Sequence, residues 1–203
     1  MKKFIIFDLD GVLIDSKKNM EMAWKAVQKK TKIKQSFKTY FEEIGQPFEN
    51  ILSSIKVDER KIAIAKKVFR ENSIRYFGKI KIYPNVKKTL DTLKKDGNIL
   101  GIITSKEKLR TTRILKKFGL IFKYIQCPEK GYKGKPDPYF LNKLVRKEHI
   151  QKKNVYYIGD TYIDYKFANK AKVNFIFCSY GYGNINLKKV KKIDKFSQIL
   201  KKI

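Results

Sequence analysis

The sequence predicts an α/β fold in which a doubly wound parallel β-sheet carries an inserted α-helical cap domain. Three features support this prediction: an apolar run near the start, a long helical block after it, and a strand–helix alternation over the rest of the chain. Alternating strands and helices form a parallel sheet that is covered by helices on both faces. At 203 residues, the chain is long enough for one such core with an insertion.

The first predicted strand is the apolar run at 3–7, which leads directly into Asp8. Such a run is typical of a strand that is buried on both faces of a parallel sheet. A basic end and a short apolar run are also found in signal peptides. Here, however, acidic residues follow at once and there is no small-residue cleavage site. We therefore interpret the start of the chain as a strand.

The segment from about 16 to 78 is predicted to be helical almost throughout. Apolar residues recur at helical spacing in three stretches, 19–30, 47–55 and 58–77. No strand pattern interrupts them. A helical block of this length after the first strand indicates an insertion that caps the sheet.

The insertion defines the predicted domain organisation. We predict a core domain formed by 1–15 and 82–203 and a helical cap domain over 16–81. The hinges are expected near 13–17 and 78–83, where the chain leaves the core and re-enters it.

After the predicted cap, helix and strand patterns alternate. Pro84 begins a helix that ends at Asp96 and Gly97, a pair typical of a helix C-terminus. The pattern that follows is that of a Rossmann-like doubly wound sheet. Strands and helices take turns over 98–105, 107–118, 123–127, 139–149, 155–160, 163–171 and 174–181.

The chain is strongly basic, with 48 Lys and Arg against 19 Asp and Glu and a formal net charge of +29. Nearly all of the basic residues are Lys spread along the chain, whereas nucleic-acid sites favour Arg. We interpret the excess as a lysine-coated surface that reflects genome composition. An anionic partner is the alternative, and the lysine-rich tail at 187–203 is its best candidate. The same tail also fits a terminal helix.

The remaining bulk features indicate a cytoplasmic globular protein. Cys127 and Cys178 form no metal-binding pattern and fit a reducing compartment. No apolar run approaches the length of a membrane span. We expect no specific nucleic-acid partner, and a monomer or weak homodimer.

Polar residues cluster where the predicted strands end. Ligands of a doubly wound sheet bind beyond the carboxyl ends of its strands, so these residues are candidates for one site. They are Asp8 and Asp10 after the first strand, Thr104 and Ser105 after the second, Lys135 in a Gly-Lys-Pro-Asp-Pro loop, and Asp160 and Asp164 after the strand at 155–160.

Several carboxylates, one lysine and one hydroxyl are the groups needed for phosphoryl transfer through an aspartyl-phosphate. A carboxylate nucleophile divides a difficult hydrolysis into two easier steps. Magnesium, which prefers oxygen ligands, removes the repulsion between that carboxylate and the phosphate. A second carboxylate protonates the leaving oxygen, and the lysine and hydroxyl neutralise charge on the transferred group.

Four short motifs carry the residues named above, and their order along the chain resembles that of the haloacid dehalogenase (HAD) superfamily. The similarity is to members with a helical C1 cap, of the phosphoglycolate phosphatase and β-phosphoglucomutase types. It covers the chain from 1 to about 183. Within the cap, the similarity lies in position and helical character more than in motifs. The four motifs are DLDGVLIDS at 8–16, IITS at 102–105, GKPDP at 134–138 and GDTYID at 159–164.

The resemblance implies a metal-assisted catalytic centre. By it, Asp8 is the nucleophile and a Mg²⁺ ligand, and Asp10 is the general acid/base that lends its backbone carbonyl to the metal. Asp160 is a further metal ligand. Asp164 either helps to hold the metal shell or orients Lys135.

The resemblance also implies how the phosphate is bound and which reaction follows. Thr104, Ser105 and Lys135 would bind the phosphate. The dehalogenases lack an acid at the second position, because their leaving group needs no proton, so Asp10 argues for phosphate chemistry. The expected function is a Mg²⁺-dependent phosphatase acting on a small phosphate ester, of the phosphoglycolate or sugar phosphate type.

Two other functions stay open at this point. A sugar phosphomutase is one, although the mutases carry a histidine early in the first cap helix, where this chain has Met20. A catalytically idle polyanion-binding protein is the other. It is disfavoured because the chain retains the complete set of charged motif residues.

Overall fold

A computed structural model of the chain describes residues 2–183 and 190–203. A six-stranded, wholly parallel sheet forms its centre. This architecture confirms the predicted α/β fold. In chain order, the strands are β1 (Phe4–Phe7), β2 (Ile14–Asp15), β3 (Lys81–Ile82), β4 (Ile99–Ile103), β5 (Tyr124–Gln126), β6 (Val155–Gly159), β7 (Asn174–Cys178) and β8 (Lys191–Ile193).

Eight α-helices accompany these strands in the described part of the chain, and three short 3-10 helices lie at Phe77–Lys79, Lys152–Asn154 and Phe196–Lys201. Among the described residues, no helix is both long and apolar enough to cross a membrane. The α-helices are α1 (Lys17–Thr31), α2 (Phe37–Glu42), α3 (Phe48–Ser54), α4 (Glu59–Arg75), α5 (Val86–Lys95), α6 (Lys108–Phe118), α7 (Tyr139–Lys147) and α8 (Tyr162–Ala171).

The first strand lies at the middle of the sheet. All four residues of β1 are fully buried, as a continuous apolar run between two parallel neighbours requires. From β1 the chain builds β4 and β5 on one side and then β6, β7 and β8 on the other. The strand order therefore reverses next to β1, and Asp8 lies at the point where doubly wound sheets bind their ligands.

Buried apolar side chains form separate clusters on the sheet and within the helical block. Two clusters pack on the sheet. A third lies within α1 to α4 and their connections, where the fully buried Trp24 stacks on Tyr40 with ring centroids 4.6 Å apart. Burial of one such aromatic side chain contributes roughly 1.5–3 kcal/mol. The helical block thus has an apolar core of its own, which supports the proposed division into cap and core domains.

A short antiparallel pair that the sequence analysis did not predict joins the helical block to the sheet. In it, β2 pairs with β3, so that Ile14 faces Ile82 and Asp15 faces Lys81. Each strand has only two residues, too few for a recognisable strand pattern. The pair lies beside both expected hinges and holds the outgoing and returning chain side by side.

The alternative interpretation of the tail as a terminal α-helix is wrong for residues 190–203, which contain the strand β8 and the 3-10 helix at Phe196–Lys201. Residues 187–189 lie outside the described residues. Ile193 is the buried residue of β8. Phe196 and Ile199 are buried three positions apart, which matches the three residues per turn of a 3-10 helix. β8 pairs in parallel with β7 and forms the edge strand of the sheet.

Candidate active site

The loops at the carboxyl end of the sheet bring the predicted polar residues together around one cavity of about 50 Å³. The cavity lies between these loops and the helical block, which contributes Met20, Tyr40, Gly45 and Phe69 among others. The predicted residues that line it are Asp8, Asp10, Thr104, Ser105 and Lys135. Asp160 and Asp164 lie fully buried behind it.

Lys135 is the centre of a buried charge cluster. Its Nζ lies 2.9 Å from Asp8 Oδ1 and 2.7 Å from Asp164 Oδ1, and its side chain is only 2% exposed. The same ammonium also donates to the hydroxyl of Tyr157 at 3.2 Å. Lys135 and Asp8 are 127 positions apart in the chain, and the parallel sheet brings them into contact.

Burial and neighbouring charges shift the pKa values of this cluster. Burial raises the pKa of Asp8 from its ordinary 3.8 to about 7, although Lys135 opposes the shift. Burial also holds the pKa of Asp160 well above its usual range, and the Asp164 carboxylate adds to the effect. For Lys135, burial lowers the pKa, but the Asp164 and Asp8 carboxylates outweigh burial and keep it well above its ordinary value.

Asp164 anchors both the lysine and the turn after β6. Its Oδ1 accepts hydrogen bonds from Lys135 and, at 3.3 Å, from Tyr157. Its Oδ2 accepts from the backbone N–H groups of Asp160 and Thr161 and from the Thr161 hydroxyl, completing a capping box at the start of α8. Both oxygens are engaged, so the contacts favour the expected orienting role over metal ligation.

The donor set fits a hard divalent cation such as Mg²⁺. Carboxylate oxygens of Asp8 and Asp160 lie within 4.8 Å of each other, and an oxygen of Asp164, which is engaged by other partners, lies within the same distance of both. Among the described residues, Asp160 Oδ1 is buried without a hydrogen-bond partner, while Asp160 Oδ2 accepts from the Tyr182 N–H at 2.7 Å. A Cβ at Gly11, where φ is +81°, would lie 2.0 Å from Asp160 Oδ2. Glycine therefore lets the loop after β1 approach this carboxylate.

Magnesium is expected to stabilise the protein more strongly as the pH rises. Because the folded-state pKa of Asp8 lies above its unfolded value, the folded metal-free protein binds more protons than the unfolded chain between about pH 4 and 7. Its stability therefore falls as the pH rises through this window, and Asp160 acts in the same direction. A cation that binds the ionised carboxylates reverses the loss.

Thermal unfolding at pH 5 and pH 8, with EDTA and with Mg²⁺, measures this effect. We expect a Mg²⁺-dependent rise in Tm of several degrees at pH 8 and little at pH 5. An equal rise at both pH values would contradict the assignment of Mg²⁺ to the buried carboxylates. Asp91→Asn, which removes an exposed carboxylate of α5, is the control and should show the same Mg²⁺ effect as wild type.

Asp10 is held differently from the buried cluster. Its Oδ1 accepts a hydrogen bond from Ser16 Oγ and lies 3.1 Å from Lys106 Nζ.

Lys106 is a site residue that the sequence analysis missed, because a lysine next to IITS carries no distinguishing signal in a lysine-rich chain. Tyr157 was missed because a tyrosine inside an apolar strand is read as core.

The two predicted hydroxyls have different surroundings. Thr104 Oγ1 accepts a hydrogen bond from the Lys106 N–H at 3.2 Å and stays on the cavity wall. Ser105 Oγ instead donates to the carbonyl of Gly45 at 2.6 Å, a contact between the loop after β4 and the helical block. The phosphate-binding role of both residues stays a prediction, and Thr104 is the better placed.

Comparison with known proteins gives one consistent result. The family model described as haloacid dehalogenase-like hydrolase matches residues 5–178. The chain is 34% identical to a phosphoglycolate phosphatase of Pasteurella multocida (strain Pm70) over 125 residues, a match that spans 59% of this chain and only 56% of that relative. It is 26% identical to a phosphoglycolate phosphatase of Aquifex aeolicus (strain VF5), over 91% of this chain and 88% of the relative.

A solved structure shows the same similarity over nearly the whole chain. The crystal structure of a predicted phosphoglycolate phosphatase from Haemophilus somnus 129pt superposes with a TM-score of 0.88 at 27% sequence identity. The superposition covers 98% of this chain and 97% of that one. The similarity therefore includes both the parallel sheet and the helical block.

Proposed function

Since the chain belongs to the haloacid dehalogenase-like hydrolases and is a phosphoric monoester hydrolase, we propose that it is a Mg²⁺-dependent phosphatase of a small phosphorylated metabolite. The reaction proceeds through an aspartyl-phosphate on Asp8. The contact between Lys135 and Asp8 at the floor of the cavity is the observation that carries this proposal.

Each residue of the site has a part in the reaction. Asp8 attacks phosphorus, and Lys135 neutralises charge on the transferred group while Thr104 binds one of its oxygens. Asp10 gives a proton to the leaving oxygen and later takes one from the attacking water. When bound by Asp8 and Asp160, Mg²⁺ offsets the repulsion between carboxylate and phosphate. The helical block over the cavity excludes bulk water.

The size and charge of the cavity support a small anionic substrate. A cavity of about 50 Å³ between the sheet and the helical block favours a small ester over a polymer. Arg110 adds a second cation to the wall of the cavity that Lys135 also lines, and we assign it to a carboxylate on the substrate. Phosphoglycolate, the substrate in the names of several relatives, has this chemistry, and a sugar phosphate is the other candidate.

The phosphomutase alternative has less support. Met20, at the position where the mutases carry histidine, is buried and lines the cavity, and a thioether cannot transfer protons. The single histidine of the chain, His149, is exposed and does not line the cavity. We therefore retain phosphate release as the proposed reaction.

Hydrolysis of p-nitrophenyl phosphate is the first test. The purified protein is expected to release p-nitrophenol and phosphate with Mg²⁺. EDTA should remove the metal and lower this activity by about tenfold or more. A panel of phosphoglycolate, sugar phosphates and nucleotides then identifies the ester with the highest kcat/KM.

Two outcomes would contradict the proposal. Conversion of a sugar 1-phosphate to its 6-phosphate without free phosphate would favour a mutase. Salt-sensitive binding of random DNA without any turnover would favour a polyanion-binding protein.

A further inference from the structure

The carboxylate of Asp10 is restrained at one of its two oxygens. Oδ1 lies 3.1 Å from Lys106 Nζ and also accepts a hydrogen bond from Ser16 Oγ. No hydrogen bond within the described residues reaches Oδ2, and the Asp10 side chain lines the catalytic cavity. One oxygen is therefore tied back, and the other remains available to a substrate.

Lys106 is itself held rigidly. Its side chain is only 4% exposed, so surrounding atoms restrict the positions that the ammonium can occupy. Its backbone N–H donates to Thr104 Oγ1 at 3.2 Å, and its carbonyl accepts from Thr111 Oγ1 at 3.3 Å. The loop between β4 and α6 thus fixes the backbone of Lys106 on both sides, which is what precise orientation of a neighbouring group requires.

From this geometry we propose that Lys106 is a positioning residue for proton transfer by Asp10. It holds Oδ1 so that Oδ2 faces the leaving oxygen of the substrate. The inference rests on the proposed phosphatase function and adds a residue to it. Lys106 acts through Asp10.

The step that Lys106 assists is the cleavage of the ester. A bond forms between the Asp8 carboxylate oxygen and phosphorus while the bond between phosphorus and the ester oxygen breaks. The proton on Asp10 Oδ2 moves to that ester oxygen, so the alcohol leaves neutral. A misdirected Asp10 slows this transfer, because a general acid must lie within hydrogen-bond reach of the atom that it protonates.

The identity of the leaving group reveals this role. An alkoxide is a poor leaving group and needs the proton, whereas p-nitrophenolate is stable as an anion and leaves without it. Loss of Asp10 orientation is therefore expected to slow alkyl phosphates much more than p-nitrophenyl phosphate. Loss of phosphate binding, metal binding or folding would slow both esters alike.

The experiment compares Lys106→Met and Lys106→Gln with wild type on two substrates, p-nitrophenyl phosphate and the alkyl phosphate with the highest wild-type kcat/KM. For Lys106→Met we expect kcat/KM to fall about 30- to 100-fold on the alkyl ester, because misdirection removes up to the lower end of the roughly 100- to 10,000-fold that a general acid contributes. On the aryl ester we expect a loss of less than about 5-fold. Lys106→Gln keeps a donor for Oδ1 and is expected to recover part of the alkyl activity. Lys108→Met, at the exposed first position of α6, is the matched control.

The possible results distinguish the role of Lys106 from the phosphatase activity itself. Equal losses on both esters, or no loss on the alkyl ester, would overturn the role of Lys106 while leaving the phosphatase intact. If wild type releases no phosphate from either ester, the proposed function itself fails. Circular dichroism verifies folding, and should Lys106→Met not fold, the ratio of the two activities in Lys106→Gln decides.

Discussion

Replacing Asp8 by asparagine is expected to lower phosphatase activity by at least about 1,000-fold, because the amide cannot form the aspartyl-phosphate. The same change is expected to stabilise the metal-free protein at pH 8. Burial raises the pKa of Asp8 to about 7, so at pH 8 the folded protein holds an unfavourable buried charge, which asparagine removes. A gain of about 1–2 kcal/mol is typical when a residue required for function is neutralised in this way.

Phosphate release and urea unfolding of the two proteins measure these effects. The stability gain is expected at pH 8 with EDTA and should vanish at pH 5, where the Asp8 carboxyl is already protonated. Asp91→Asn, on the exposed face of α5, should change neither property. Activity that survives Asp8→Asn would disprove the nucleophile, whatever the stability data show.

Replacing Lys135 by methionine is expected to damage both stability and activity. The change leaves the carboxylates of Asp8 and Asp164 without their common cation in a buried site. Removing one partner of a buried ion pair costs about 3–5 kcal/mol. Loss of a charge that stabilises the transferred phosphoryl group lowers kcat by about 100- to 1,000-fold.

A double variant separates the two effects. Adding Asp8→Asn to Lys135→Met removes one of the unpaired carboxylates and should restore part of the lost stability without restoring any activity. Urea unfolding at pH 8 with EDTA, together with a phosphate-release assay, provides the measurements. Lys133→Met, two residues away and exposed, is the control. A loss of stability below about 1 kcal/mol in Lys135→Met would contradict the structural role of the cluster.

The two largest expected effects both depend on residues that the sequence had already identified. Parallel strands present their carboxyl ends at one edge of the sheet, so Asp8 after β1 and Asp160 after β6 could be predicted to lie close together. Lys135 could be assigned only because its loop matches a motif. Their catalytic roles are part of the proposal, while their proximity is a feature of the structure.

Other parts of the site depended on packing between distant segments. The contact of Lys106 with Asp10 joins the loop after β4 to the loop after β1, and no local pattern distinguishes this lysine from the many on the surface. Similarly, the backbone N–H of Tyr182 donates to Asp160, and the Tyr182 hydroxyl accepts from the Ser16 N–H at 2.6 Å. Such contacts follow from the relative placement of whole elements.

By itself, the sequence determined the α/β class, the order of the main strands and helices, and the strand ends at which reactive side chains emerge. These features follow from apolar periodicity and from the geometry of parallel sheets, which are local or repeating properties. Tertiary structure alone decided the short β2–β3 pair, the strand and 3-10 helix in 190–203, and the pairing of Lys106 with Asp10. Long-range packing selects these features, because the same residues in isolation favour several conformations and partners about equally.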